Sequence, residues 1–109
     1  MIEERLYEYL SSKTDIPVSF ERITEAPYYL LEKTSARREN HITTSTIAIQ
    51  SYGRTLLEAM QLNEAVKGYM DAFAEERYIS ESKFINDHNF TDTNKKKYRY
   101  QCIYTVVHR

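Results

Sequence analysis

Asp87, His88 and Asp92, in the stretch "NDHNFTD", are the residues of this chain closest to a chemical site. Two carboxylates and an imidazole are cation ligands by type, and a carboxylate next to an imidazole has the groups that general acid–base chemistry uses. A divalent cation needs a fuller ligand set in fixed geometry, and no neighbouring residue supplies one. A polar turn between two strands accounts for the same letters, because Asp and Asn side chains bond their own backbone. We take the turn as the expectation.

No other catalytic set is visible. His41, His88 and His108 are scattered, and Cys102 falls on an apolar parity, so no Cys–His pair stands at an informative spacing. The chain has no glycine-rich phosphate loop, no G-x-S-x-G and no C-x-x-C. With only 2 glycines in the whole chain, a backbone cradle for phosphate is barely available. The expectation is therefore a protein that is not an enzyme and takes no cofactor or metal, although a dispersed carboxylate site stays open.

Two basic clusters remain, Arg37 and Arg38 in "ARR" and Lys95, Lys96 and Lys97 in "KKK". Charged loops are commonly just solvated ends; the sharper reading is contact with an acidic partner surface or with nucleic acid. The chain carries 15 basic and 16 acidic residues, a formal charge of -1, so it has no global positive field to hold a polyanion. A nucleic-acid role would need a local patch. Ten tyrosines and no tryptophan raise the same choice, since tyrosine suits both strands and interfaces. A domain this small cannot bury all of them, so some are expected at a contact with another chain.

The elements that must position these residues follow from periodicity. Ile2, Leu6, Tyr9 and Leu10 recur at helical spacing with Glu3, Glu4 and Glu8 between them, an amphipathic helix that "SSKTDIP" ends. "VSFERI" alternates as a short strand, "YYLLEKTS" favours a pleated sheet, and the polar "SARREN" separates it from the β-branched "HITTSTIAIQSYG". Those two strands suggest an antiparallel hairpin, with Arg37 and Arg38 at or near its tip.

"TLLEAMQLNEAVKGYMDAF" changes period. Thr55 and Glu58 match a capping box, and Leu56, Ala59, Leu62, Val66, Tyr69, Met70 and Phe73 form one stripe. Asn63 is a point where this helix could bend or split, and Gly68 costs it about 1 kcal/mol against alanine. "YISESKFIND" reads as a further strand, with Ile79 and Ile85 on one parity and Phe84 on the other.

The closing "KKKYRYQCIYTVVHR" has two incompatible readings, a basic aromatic surface for stacking on bases or a strand with one apolar side. Its alternation favours the strand. Tyr98, Tyr100, Cys102, Tyr104 and Val106 share one face and Lys97, Arg99 and Gln101 the other, while Ile103 and Val107 suggest a second half covered on both sides. The order helix, three strands, helix, two strands describes an α+β two-layer sandwich, a mainly antiparallel sheet of about five strands with both helices on one face.

The 109 residues suit one core, and thus a single domain over 1–109. One cysteine excludes an internal disulfide, no apolar run is long enough to span a bilayer, and the acidic start does not resemble a secretory signal. A cytosolic origin and few flexible linkers are expected.

In the order of its segments the chain resembles the tail-terminator, or tail-completion, proteins of long-tailed bacteriophages and prophages. The likeness spans nearly the full chain through loose motifs. They are "IPV" ahead of a strand, Pro27 and Tyr28 opening the next, "QSYG" before the second helix, and "KKYRYQ" leading the last strand. Where relatives often have a turn bearing glycine or phenylalanine before that proline, this chain has "TEA".

The resemblance implies a non-enzymatic subunit that forms a homo-oligomeric ring, commonly a hexamer, on the completed tail tube. There it stops polymerisation and offers a surface to the head-tail connector, at the head-proximal end of a virion tail assembled in host cytoplasm. Its partners would be itself, the major tail tube protein, the connector and, in passing, DNA in the lumen, with no membrane. Arg37, Arg38, Lys95, Lys96 and Lys97 are candidates for those contacts on exposure and charge alone. The alternatives are another head-tail junction component, a small nucleic-acid-binding module, and a small enzyme resting on Asp87, His88 and Asp92.

Overall fold

A computed structural model describes all residues, Met1 to Arg109. In chain order the elements are α1 (Ile2–Lys13), β1 (Val18–Ser19), β2 (Tyr28–Glu39), β3 (Ile42–Gly53), α2 (Leu56–Ala72), a 3-10 turn (Phe73–Glu75), β4 (Ile79–Asn89) and β5 (Tyr98–His108). The strands form one mixed, mostly antiparallel sheet in the order β1-β2-β3-β5-β4, in which only β1 and β2 run parallel. This is the α+β arrangement expected from the sequence.

The first helix buries Ile2, Leu6, Tyr9 and Leu10, the four residues of its apolar stripe. It ends where Thr14 turns extended and its hydroxyl accepts from the Ile16 amide at 3.1 Å. The second helix starts on Thr55, whose hydroxyl accepts from the Glu58 amide at 3.1 Å. Glu58 does not close the box on Thr55. Its carboxylate instead accepts from the Arg54 amide at 2.7 Å and from the Arg54 guanidinium. The helix passes Asn63 without a break.

Both helices cover the same sheet face. Tyr29 and Leu31 from β2, Ile47 and Ile49 from β3, and Cys102, Tyr104 and Val106 from β5 join the helical stripes in one core. Each such side chain gains roughly 1.5–3 kcal/mol by leaving water, which is what fixes the parity of the central strands. The last strand therefore turns Cys102, Tyr104 and Val106 inward, while Tyr98 and Tyr100 at its start are half-buried.

Several elements differ from the sequence expectation. The polar loop over "SARREN" is a strand almost to its end, because the connection is a two-residue turn with Asn40 at φ 52° and His41 at φ 64°. Two left-handed residues match the twist of a tight hairpin, and Asn accepts that conformation readily. The strand over "VSFERI" stops after Ser19, whose hydroxyl bonds both the amide and the carbonyl of Glu21 and turns the chain away. In β4, extra residues between Ile79 and Glu81 and between Phe84 and Asn86 interrupt the parity. Ile85 is thereby left exposed, and Phe84 lies edge-on to Tyr104 with centroids 5.6 Å apart.

Candidate functional site

Asp87 faces the helix layer from β4. Its Oδ2 accepts from Lys67 Nζ at 2.7 Å and from Asn63 Nδ2 at 2.8 Å. The Lys67 ammonium holds the Asp87 carboxyl below the usual carboxylate range, against the opposing effect of partial burial. Lys67 is raised in turn by the same bond and by Glu64, 2.7 Å away. His88, one residue on, points to the opposite face and lies edge-on to Phe90 at 5.4 Å.

Asp92 belongs to the β4–β5 turn. Its carboxylate accepts from the amides of Asn94 at 3.1 Å and Lys95 at 3.2 Å, and its backbone bridges Lys97. Each member of the "NDHNFTD" constellation is thus held in its own place, and no three His, Cys, Asp or Glu side chains gather as a metal site. A groove of ≈ 430 Å³ between α2 and β4 is lined by groups that already serve each other. Tyr104 Oη, for example, lies 2.7 Å from Asp71 Oδ1 and 3.0 Å from the Lys67 carbonyl.

The two basic clusters lie at opposite ends of the sheet. Arg37 and Arg38 pair with Thr44 and Thr43 beside the β2–β3 turn, whereas Lys95–Lys97 lead into Tyr98, which pairs with Gly53 at the far end of β3. Strands of this length at about 3.3 Å per residue put the clusters on the order of 30 Å apart. They form no single patch. Arg37 faces the side of the sheet away from the helices and Arg38 the helix side, where its Nε reaches Thr43 Oγ1 at 3.4 Å. The lysines are exposed, on a turn in which Lys96 has φ 52°.

The sheet face without helices carries a network that sequence reasoning missed. Tyr28 and Tyr52 stack with centroids 4.4 Å apart and planes at 6°. Tyr52 Oη donates to Gln50 Oε1 at 2.8 Å, and Gln50 Nε2 donates to Gln101 Oε1 at 3.1 Å. Arg99 donates to Tyr52 Oη at 3.1 Å and to the Phe90 carbonyl at 2.6 Å, and its guanidinium lies 4.5 Å from the centre of the Phe90 ring. The alternation of β5 puts Arg99 and Gln101 on this face. Only the cross-strand register brings Tyr52 and Gln50 beside them.

Five of the ten tyrosines, Tyr9, Tyr28, Tyr29, Tyr52 and Tyr104, are buried, and Tyr7 and Tyr78 are exposed. Tyr69, Tyr98 and Tyr100 are half-buried, so half of the tyrosines keep some surface, and the two exposed ones sit on α1 and just before β4.

The backbone of both outer strands is open. β1 pairs only with Tyr29 and Leu30, which leaves β2 uncovered from Leu31 to Glu39, and nothing pairs with the outer side of β4. Such edges are templates for another chain. No family model matches this chain, and no curated protein matches it. No helix is long and apolar enough to cross a membrane.

Proposed function

We propose that this chain is a non-enzymatic assembly subunit of a long-tailed bacteriophage or prophage. It closes into a homo-oligomeric ring on the completed tail tube, stops the tube's growth and presents a surface to the head connector. The observation that carries this reading is a single sheet with two different open edges, β2 on one side and β4 on the other. Two unlike edges make head-to-tail contacts, and those generate rings when the rotation closes. The resemblance of its segments to tail-terminator proteins supplies the biological setting.

Termination needs no chemistry. One ring face binds the last tube ring, and the other lacks what the next tube ring requires. Arg37 and Arg38 at one end of the sheet and Lys95–Lys97 at the other fit a subunit whose two ends meet different partners, tube and connector, around a lumen that DNA traverses. The site of action is the head-proximal end of the tail, assembled in host cytoplasm.

The test is the solution mass of the purified protein together with negative-stain images after tail-tube protein is added. Closed rings, or tubes that stop growing with a cap, are expected; a strict monomer that neither closes nor caps would sink the reading. Deleting the gene separates termination from another junction role. Overlong or unjoined tails indicate termination, whereas tails of normal length beside empty heads indicate a connector or stopper.

A further inference from the structure

We propose, building on the ring reading, that neighbouring copies join edge to edge: the free part of β2 in one copy pairs antiparallel with β4 of the next, and Arg37 faces Glu81 across the junction.

Direction comes first. β2 is antiparallel to β3, β3 to β5 and β5 to β4, so β2 and β4 run in opposite senses within one sheet. A second copy placed beside the first without inversion therefore lays its β2 antiparallel to β4, and the alternation continues across the junction.

Height along the strands matches too. One row of cross-strand partners runs Leu31, Ile49, Cys102, Asp87 and another runs Arg38, Thr43, His108, Ile79. The stretch of β2 left uncovered by β1 thus spans the same height as β4 from Asp87 to Ile79. Each edge also carries an irregularity near its middle, between Lys33 and Ser35 on β2 and between Phe84 and Asn86 on β4, and Lys33 and Phe84 share a row. A bulge bends its strand, and these two flank the same row, that of Ile47 and Tyr104, so the bends of the two edges fall next to each other; β4 has a second irregularity, between Ile79 and Glu81, without a counterpart on β2. Edges so marked resist indiscriminate pairing and accept a partner of matching shape.

Charge then selects the register. Arg37, Thr44, Val107 and Glu81 form one row, and Ser35, Thr46, Thr105 and Lys83 another, both on the face away from the helices. Without stagger, Arg37 of one copy meets Glu81 of the next. Both side chains are exposed, and neither is in an ion pair within its own copy. A two-residue slide one way sets Arg37 against Lys83 and Glu39 against Glu81, like charges in both rows. Without stagger only the last two residues of β4, His88 and Asn89, reach the height of Leu30 and Tyr29 and must give way to β1 of the next copy; the opposite slide brings Asn86 and Asp87 into that clash as well. A one-residue slide reverses every side chain to the wrong face.

The test uses the full chain carrying Arg37→Cys and Glu81→Cys together, oxidised under the conditions in which it assembles and run on a non-reducing denaturing gel. The native Cys102 is fully buried and stays silent. A ladder of covalent multimers is expected from the double variant and from neither single variant. Arg37→Glu and Glu81→Arg should each lower the association constant about tenfold or more, and the two combined in one chain should restore it.

Closed rings that give no ladder and tolerate Arg37→Glu would overturn the edge pairing and leave the ring reading standing. A ladder from open chains that never close would uphold the pairing and overturn the ring. Cross-linking of Arg37→Cys with Lys83→Cys, but not with Glu81→Cys, would overturn the register. A monomer without a ladder would overturn both proposals.

Discussion

Lys67 reaches from α2 to the Asp87 carboxylate on β4, with 2.7 Å between Nζ and Oδ2, and so ties the second helix to the outer strand. Asn63, one helical turn earlier, donates to the same oxygen at 2.8 Å. Asn63 is buried in the helix, and its own carbonyl oxygen has no partner, so Asp87 is what offsets its burial. Replacing Asp87 by alanine should cost about 1–2 kcal/mol at neutral pH, the cost of lost charge-assisted bonds lessened by water contact at both side chains.

The pH dependence has a definite sign. Asp87 is held below its ordinary value of 3.8, so below that value the unfolded chain takes up the proton more readily than the folded one. The contribution is complete above the ordinary value and is lost as pH falls through the lowered one. Urea unfolding midpoints of the wild type and Asp87→Ala should therefore lie apart at pH 7 and converge in strong acid. A separation that persists there would point to packing rather than charge.

Cys102 has no exposed surface, and burial pushes its thiol up to about 12. The thiolate is the reactive form, so neither access nor ionisation favours reaction at pH 8. Labelling by a thiol reagent should be more than about a thousandfold slower in buffer than in denaturant, its rate set by opening of the sheet. Fast labelling of the folded chain would mean that β5 does not lie against the helices.

The two glycines should respond in opposite directions. A Cβ on Gly53 would lie 2.4 Å from the Ala59 amide nitrogen and 2.8 Å from the Thr55 carbonyl oxygen, both backbone atoms, so β3 and the start of α2 would have to separate. Gly53→Ala should cost about 2 kcal/mol or more. A Cβ on Gly68 meets nothing within 4 Å, and Gly68→Ala should stabilise by about 0.5–1 kcal/mol through helix propensity. Denaturant midpoints for the two variants give both signs directly.

Gly68 shows what a sequence can reveal, since its cost depends only on its own helix. The same holds for the stripe of α1 and for the inward parity of Cys102, Tyr104 and Val106, each set by burial with one period. Ser35 to Glu39 resemble a loop in sequence because that part of β2 is exposed, so no apolar alternation marks it as strand. Asn63 resembles a helix breaker in sequence because its partner, Asp87, lies on another element. The links among Tyr52, Gln50, Arg99 and Gln101 depend on the register between β3 and β5, which neither strand encodes alone. Local periodicity thus exposed the elements, while contacts across strands decided what their polar residues do.

Lys95–Lys97 offer the most direct functional test, because the turn does not depend on them. Asp92 supplies the carboxylate that holds it, and the three lysine side chains are exposed. Changing all three to alanine should shift unfolding by no more than about 0.5 kcal/mol each and leave the solution mass unchanged. The opposite cluster lies well beyond the ~8 Å screening length at physiological salt, so the two ends act independently. The triple variant should then lose one end contact, tube capping or connector joining, and keep the other; Arg38→Ala should weaken the contact that the triple variant spares. Both activities can be followed by tube-length distributions and by head-tail joining in extracts. If the wild type instead binds nucleic acid with an affinity that falls steeply with salt, and the lysine variant loses only that binding, the chain is a nucleic-acid module and the tail reading fails.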